Sequence, residues 1–208
     1  MSELLQQYKA LEEKHLNKIG ENLEAHIAEL FSGTPRIDRI SARVKDADKF
    51  IKKSEKKNDD GSDKYEDPLG QIQDIIGVRI IAFYKPDVVQ ISKVIEAHFT
   101  RIEEREVSPE SEYEFGYFGK HFVLLLPSDV LPEHPDDDVP QVFELQVKTL
   151  FQHAWSEATH DLDYKEEHEP LSIDDKRKIA FASAQAWGAD NAFEDVASRK
   201  ILDFKQHA

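Results

Sequence analysis

A chain of 208 residues with 27 basic and 42 acidic side chains has a formal net charge of −15: long enough for one domain with a buried core, and a poor match for an extended polyanion. Hydrophobic residues make up 39% of it, too many for a disordered chain, and the absence of cysteine excludes disulfides, thiolate metal sites and a cysteine nucleophile. No apolar run resembles a leader and none reaches the roughly 18 residues a membrane span needs, so the sequence reads as cytoplasmic, with no membrane partner and no long nucleic acid partner.

In chain order, Leu4, Leu5, Tyr8, Leu11, His15, Ile19, Leu23, Ile27 and Leu30 recur at steps of three and four, the period of an amphipathic helix over 2–31 that Ser32-Gly33-Thr34-Pro35 would end. Residues 36–57 then hold nine basic side chains against four acidic ones, on a chain whose remainder is strongly negative. That stretch is either a solvated helix face laced with pairs such as Asp48 and Lys52, or a compact polyanion site the size of a nucleotide triphosphate. Its apolar Ile40, Val44 and Ile51 are too sparse to separate helix from strand. Residues 54–70 are polar and turn-rich, and 74–84 (DIIGVRIIAFY) carry the strongest strand pattern in the chain. Pro86 and Asp87 open a helix reaching Phe99. Strands over 100–107, 117–126 and 142–147, an acidic, proline-rich surface loop over 127–140, and helices over 149–164 and 173–206 complete the pattern. A sheet of four or five strands among helices predicts an α+β or mixed α/β fold.

Two carboxylates sit where a carboxylate needs a reason. Asp74 begins the apolar strand, and Glu144 lies inside FELQV, where Phe143 and Leu145 should face the opposite side of the sheet. On neighbouring strands the pair could converge on one Mg²⁺, which takes one or two carboxylates plus substrate phosphates; the plain alternative is a turn aspartate and an edge glutamate. Gly77 would weaken its strand unless something approaches the backbone there. Strand alternation places Arg79 on the face opposite Asp74, so the two share a site only if it wraps the strand end or a bulge intervenes. The segment Gly116-Tyr117-Phe118-Gly119-Lys120-His121 could stack a planar base on Tyr117 and bring Lys120 to phosphate. His153 and His160, seven residues apart on one helix, read as pocket-wall histidines in preference to metal ligands.

These motifs, in this order, resemble the synthetase domain of RelA/SpoT proteins: Asp74 to Ile80, Gly116-Tyr117 with His121, Glu144-Leu145-Gln146-Val147-Lys148-Thr149, and the helix from Gln152 to Lys165. The chain is similar to single-domain small alarmone synthetases, with an N-terminal helix over 1–35, a synthetase domain over 36–165 built on a mixed sheet of about five strands, and a C-terminal helical extension over 166–208. The resemblance implies Mg²⁺-dependent transfer of pyrophosphate from ATP to the 3′-hydroxyl of GDP or GTP, and a homo-oligomer. It leaves no length for the separate hydrolase domain of long members, so synthesis without degradation is expected. Position by position, it implies Asp74 as a metal ligand, Glu144 as a second ligand or the base, and Gln146 as a catalytic positioning group. It implies Arg43 and Arg79 beside adenine, Lys45 and Lys53 on the ATP phosphates, Tyr117 stacked on guanine, and His121 supporting the acceptor. Lys49 replaces a usual serine and Lys148 a usual arginine, and Glu110, Glu112 and Glu114 stand where many members supply a lysine for acceptor phosphates. The alternatives are a toxin-type relative acting on adenine nucleotides or the tRNA 3′ end, and an inactive module that binds nucleotide or oligomerises.

Overall fold

The computed structural model describes residues 2–107, 119–136, 138–163 and 171–205. The N-terminal helix runs as α1 (Glu3–Leu11), a π-helical turn (Glu12–Leu16) and α2 (Asn17–Leu30). The wide turn lets the adjacent His15 and Leu16 both face inward, so the apolar stripe continues from Leu11 to Ile19. Gly33 and Arg36 then turn the chain at positive φ, 77° and 64°. At a non-glycine residue that conformation costs about 1–2 kcal/mol, and the guanidinium fork of Arg36 on the buried Asp87 carboxylate, at 2.7–3.0 Å, opposes the cost.

The ambiguous basic stretch divides into β1 (Ile37–Val44) and α3 (Ala47–Ser54), the helix capped by Asp46, which accepts hydrogen bonds from the Asp48 and Lys49 amides. One helical turn, α4 (Pro68–Gln71), follows the polar loop, then β2 (Ile76–Ala82), α5 (Lys85–His98), β3 (Arg101–Val107), β4 (Gly119–Leu125), β5 (Val142–Thr149), α6 (Leu150–Asp163) and the long α7 (Ile173–Lys205). The strand order is β1-β2-β5-β4-β3, with β2 and β5 parallel and the other neighbours antiparallel. This is the mixed five-stranded sheet flanked by helices that the sequence predicts.

One sheet face carries Val78, Ile80, Phe122, Leu145 and Val147 into a core closed by the N-terminal helix and α5, through residues such as Leu23 and Ile95. The outer edge of β1 is covered by α2, where Glu24 Oε2 accepts the Ala42 amide hydrogen at 2.6 Å. The acidic loop lies across the N-terminal helix: Asp136 takes Lys14 at 2.6 Å and His15 at 3.0 Å, and Asp129 takes His26 at 2.9 Å. No helix among the described residues is long and apolar enough to cross a membrane.

Candidate active site

Directly opposed residues on neighbouring strands point to the same side of a sheet. The register sets Ser41 opposite Arg79, Arg43 opposite Gly77, Gly77 opposite Glu144, Arg79 opposite Gln146, and Gln146 opposite His121. Arg43, Arg79, Glu144, Gln146 and His121 therefore share the face away from the core. Phe143 and Leu145, fully buried, lie on the other face as the alternation around Glu144 requires.

Asp74 joins them from outside the strand. It lies in a turn, and Ile75 and Ile76 are both fully buried, which strict alternation would forbid. The pairing of β1 with β2 continues unbroken through Gly77, so the site wraps the strand end and no bulge is involved. The turn is held by the Lys45 amide, which donates to Ile75 O at 2.8 Å. Tyr8 in turn donates to Lys45 O at 2.5 Å and stacks on Phe50 of α3 with 4.1 Å between ring centroids. The N-terminal helix thus sets the height of Lys45 and, through Phe50 of α3, of Lys53. Their ammonium groups meet Asp74 at 2.9 Å each, Lys45 on Oδ2 and Lys53 on Oδ1. Burial pushes the Asp74 carboxyl up, and the two lysines more than offset it, so it stays ionised below its ordinary range.

Beside this pair opens a cavity of about 420 Å³ lined by Arg43, Lys45, Lys49, Lys52, Lys53, Lys56, Asp74 and His160. The lysines at 49, 52, 53 and 56 follow the helical three- and four-residue step, a signal present in the sequence but read only at Lys53. His160 enters from α6 as a wall residue, as its sequence position suggests. Among the described residues no group of three His, Cys, Asp or Glu side chains could hold a metal.

A narrower cleft of about 50 Å³ joins Ser41, Arg43, Asp74, Gly77, Arg79, Glu144 and Gln146. Glu144 is the hub. His121 Nδ1 lies 3.1 Å from Oε1, and Gln146 Nε2 donates to Oε2 at 2.7 Å. Burial raises the Glu144 carboxyl, but the hydrogen bonds from His121 and Gln146 prevail and hold it below its usual range, with the Asp74 charge pushing the other way. Gln146 Oε1 is buried and has no donor among the described residues, an orphan acceptor in the cleft. A Cβ on Gly77 would meet Arg43 Cγ and Nε at 3.9 Å, an ordinary contact, so the glycine relieves no clash and its bare backbone keeps the cleft floor open. Arg79 Nη1 pairs with Glu157 of α6 at 2.9 Å.

One expectation changes here. Lys120 does not reach this face: it opposes Val147, on the core side of the sheet, bonds Glu96 at 3.1 Å and Glu104 at 2.8 Å, and lies over the Phe122 ring. Alternation that delivers His121 to the site necessarily turns its neighbour away. Lys148, noted in the sequence as a replacement for arginine, is a buried member of the site face, 3% exposed and donating to Ser156 Oγ at 3.3 Å. Burial, then Arg79 and Arg43, lower its ammonium to about 7 against the pull of Glu157 and Glu144. Tyr117, with Gly116 and Phe118, lies outside the described residues.

The family model for the region found in RelA/SpoT proteins matches residues 42–169. GTP pyrophosphokinase YjbM of Bacillus subtilis is 28% identical over 134 residues, 62% of this chain and 57% of that protein, so the match spans little over half of that relative. In fold, the chain is similar to small alarmone synthetase 1 of Bacillus subtilis bound to its product pppGpp, with TM-score 0.72 and 21% identity over 94% of this chain and 98% of that one. It is also similar to a GTP pyrophosphokinase family protein of Streptococcus pneumoniae, with TM-score 0.73 and 17% identity over 96% of this chain and 95% of that one.

Proposed function

The chain belongs to the RelA/SpoT family, and on that premise we propose that it transfers the β,γ-pyrophosphoryl group of ATP to the 3′-hydroxyl of GDP or GTP, releasing AMP. The observation that carries the reading is the single sheet face on which Arg43, Arg79, Glu144, Gln146 and His121 meet Asp74 beside a lysine-lined cavity. Arg43 and Arg79 are diagonal neighbours across an antiparallel pair, about 7–8 Å apart in such geometry, which leaves room for adenine between two guanidinium planes. The polyphosphate then lies along α3, where Lys45 and Lys53 exchange Asp74 for phosphate oxygens.

In the chemical step the 3′-oxygen attacks the β-phosphorus in line, the bond from that phosphorus to the α,β-bridging oxygen breaks, and the proton of the hydroxyl passes to Glu144. Gln146 offers its open carbonyl oxygen to the acceptor, and His121 keeps Glu144 aimed. Lysine charge around the transferred group stabilises what develops there. Asp74 and Glu144, both ionised and lining one cleft, fit a divalent cation completed by phosphate oxygens, and we assign it as Mg²⁺; when bound, it neutralises charge on the transferred group. Tyr117 keeps its proposed place on guanine. The exposed Phe181, Trp187 and Val196 of α7 support self-association, which light scattering tests.

The test is incubation with Mg²⁺, ATP and a panel of GDP, GTP, AMP, ADP and tRNA. The expected result is AMP together with a 3′-pyrophosphorylated guanine nucleotide. Labelling of adenine nucleotide or tRNA alone would replace the acceptor, and no AMP release from folded protein would refute the reaction.

A further inference from the structure

The C-terminal helix α7 contains a buried carboxylate that the proposed chemistry does not use. Asp190 is 3% exposed, and its Oδ2 accepts from Thr149 Oγ1 at 2.8 Å. An apolar side chain would bury more favourably at a helix contact, since a carboxylate loses its hydration there unless something specific replaces it. Here the replacement is one short bond to one residue, and that residue sits at a junction.

Thr149 is the last residue of β5 and the cap of α6. Its Oγ1 accepts the Gln152 amide hydrogen at 3.1 Å while Gln152 Oε1 accepts the Thr149 amide hydrogen at 3.0 Å, a reciprocal capping box. On one side of this corner are Glu144, Gln146 and Lys148. On the other, α6 carries Ser156 to Lys148, Glu157 to Arg79, His153 to Arg39 at 2.9 Å, and His160 into the lysine-lined cavity. The same stretch of α7 also holds the end of β2: Asn191 and Glu194 take Lys85 at 2.7 and 3.0 Å, and Phe193 stacks on both Tyr84 and Phe151. The two parallel central strands, which bear Arg79 and Glu144, are thus gripped at their ends by one segment of α7. Trp155 Nε1, bonding Ile179 O at 3.3 Å, extends the contact along α6.

We infer that Asp190 is a positioning residue for donor binding, acting through Thr149 to fix the β5–α6 corner so that Glu157 and His160 stay against Arg79 and the donor cavity. The inference rests on the donor-side reading of that cavity. The α6 residues Glu157 and His160 meet Arg79 and the lysine-lined donor cavity, so a loosened corner affects ATP more than the acceptor. Burial pushes the Asp190 carboxyl up to about 6, opposed by the Thr149 bond and Lys85 and reinforced by Glu194, in keeping with a group retained for its bond.

The test separates the two substrates kinetically. Asp190→Ala and Thr149→Val should each raise KM for ATP by about fivefold or more while KM for the guanine nucleotide stays within twofold, a difference of roughly one kcal/mol between the two substrates. Asp190→Asn, which keeps an acceptor oxygen, and Thr149→Ser, which keeps the hydroxyl, should restore ATP KM to within about twofold of the parent. Equal changes in both KM values, no change in either, or failure of the conservative variants to restore binding would overturn the inference. If Asp190→Ala does not fold, Thr149→Val carries the comparison. Calorimetric binding of a non-hydrolysable ATP analogue to the same variants keeps the outcomes distinct. Should the parent release no AMP with any acceptor, the reaction fails, while an analogue affinity weakened by Thr149→Val and restored by Thr149→Ser still upholds the clamp.

Discussion

Lys45 and Lys53, on the proposed donor side, lean on Asp74, and His121, on the proposed acceptor side, leans on Glu144, but the two arrangements are built differently. The donor cations come from one short run of chain, β1, a capped turn and α3, with the N-terminal helix bracing it through Tyr8. The acceptor group comes from β4, and only cross-strand register decides which of its side chains arrives. Lys120 and His121 are adjacent in sequence, and the pleat sends one to Glu96 and Glu104 and the other to Glu144. A site made by a local helix tolerates several lysines at helical spacing. A site made by a strand accepts every second residue only.

That contrast can be broken or sharpened experimentally. The largest effect belongs to the shared hub: Glu144→Gln should lower kcat by roughly 10²–10⁴-fold with only a small loss of Tm, measured as AMP release against melting by circular dichroism. Next, Gly77→Val places a strand-favouring side chain on the cleft floor, where its Cβ would meet Arg43 at an ordinary contact distance; turnover should fall roughly 100-fold, the order expected of misplaced reactants, while Tm holds or rises. Lys53→Ala removes one charged contact to the donor and should raise KM for ATP about 10- to 100-fold, leaving the acceptor KM nearly unchanged; an equal rise in both would erase the division into halves.

Smaller is the pH signature of Lys148. Its folded-state value near 7 lies below the ordinary lysine value of 10.5, so the native state releases this proton first and the unfolded state binds more protons in between. This residue therefore makes stability rise with pH from about 7 towards 10.5. Lys148→Met should flatten that rise, with a larger gain in Tm at pH 6 than at pH 9. Asp74 and Glu144 work in the opposite range: their depressed values contribute stability that is present above ordinary carboxylate values and lost as acid protonates them. The smallest effect is that of Lys120→Ala, which should leave both KM values unaltered and cost at most about 1 kcal/mol of stability, as for a surface ion pair.

Much of this was legible in the sequence. The apolar period of the N-terminal helix, the strand around Gly77, the alternation about Glu144 and the order of the motifs depend on neighbours along the chain, and local steric and hydrophobic rules read them directly. The basic stretch was legible as a charge concentration but not as a strand followed by a helix, because β1 is an edge strand whose exposed positions leave few apolar markers. Sequence also could not rank the neighbours Lys120 and His121, since strand parity is fixed only once the partner strand sets the register.

What the sequence by itself determined is the inventory: a locally basic site on an acidic body, two carboxylates in unusual places, and the motif order of the RelA/SpoT family. Tertiary structure alone decided which charges meet. It brought Asp74 around the strand end to two lysines, buried Lys148 among arginines, removed Lys120 to the far face, and placed Asp190 on the corner between β5 and α6. The physical reason is that charge and hydrophobic period are properties of a segment, whereas desolvation and hydrogen bonding depend on distances between segments far apart in the chain.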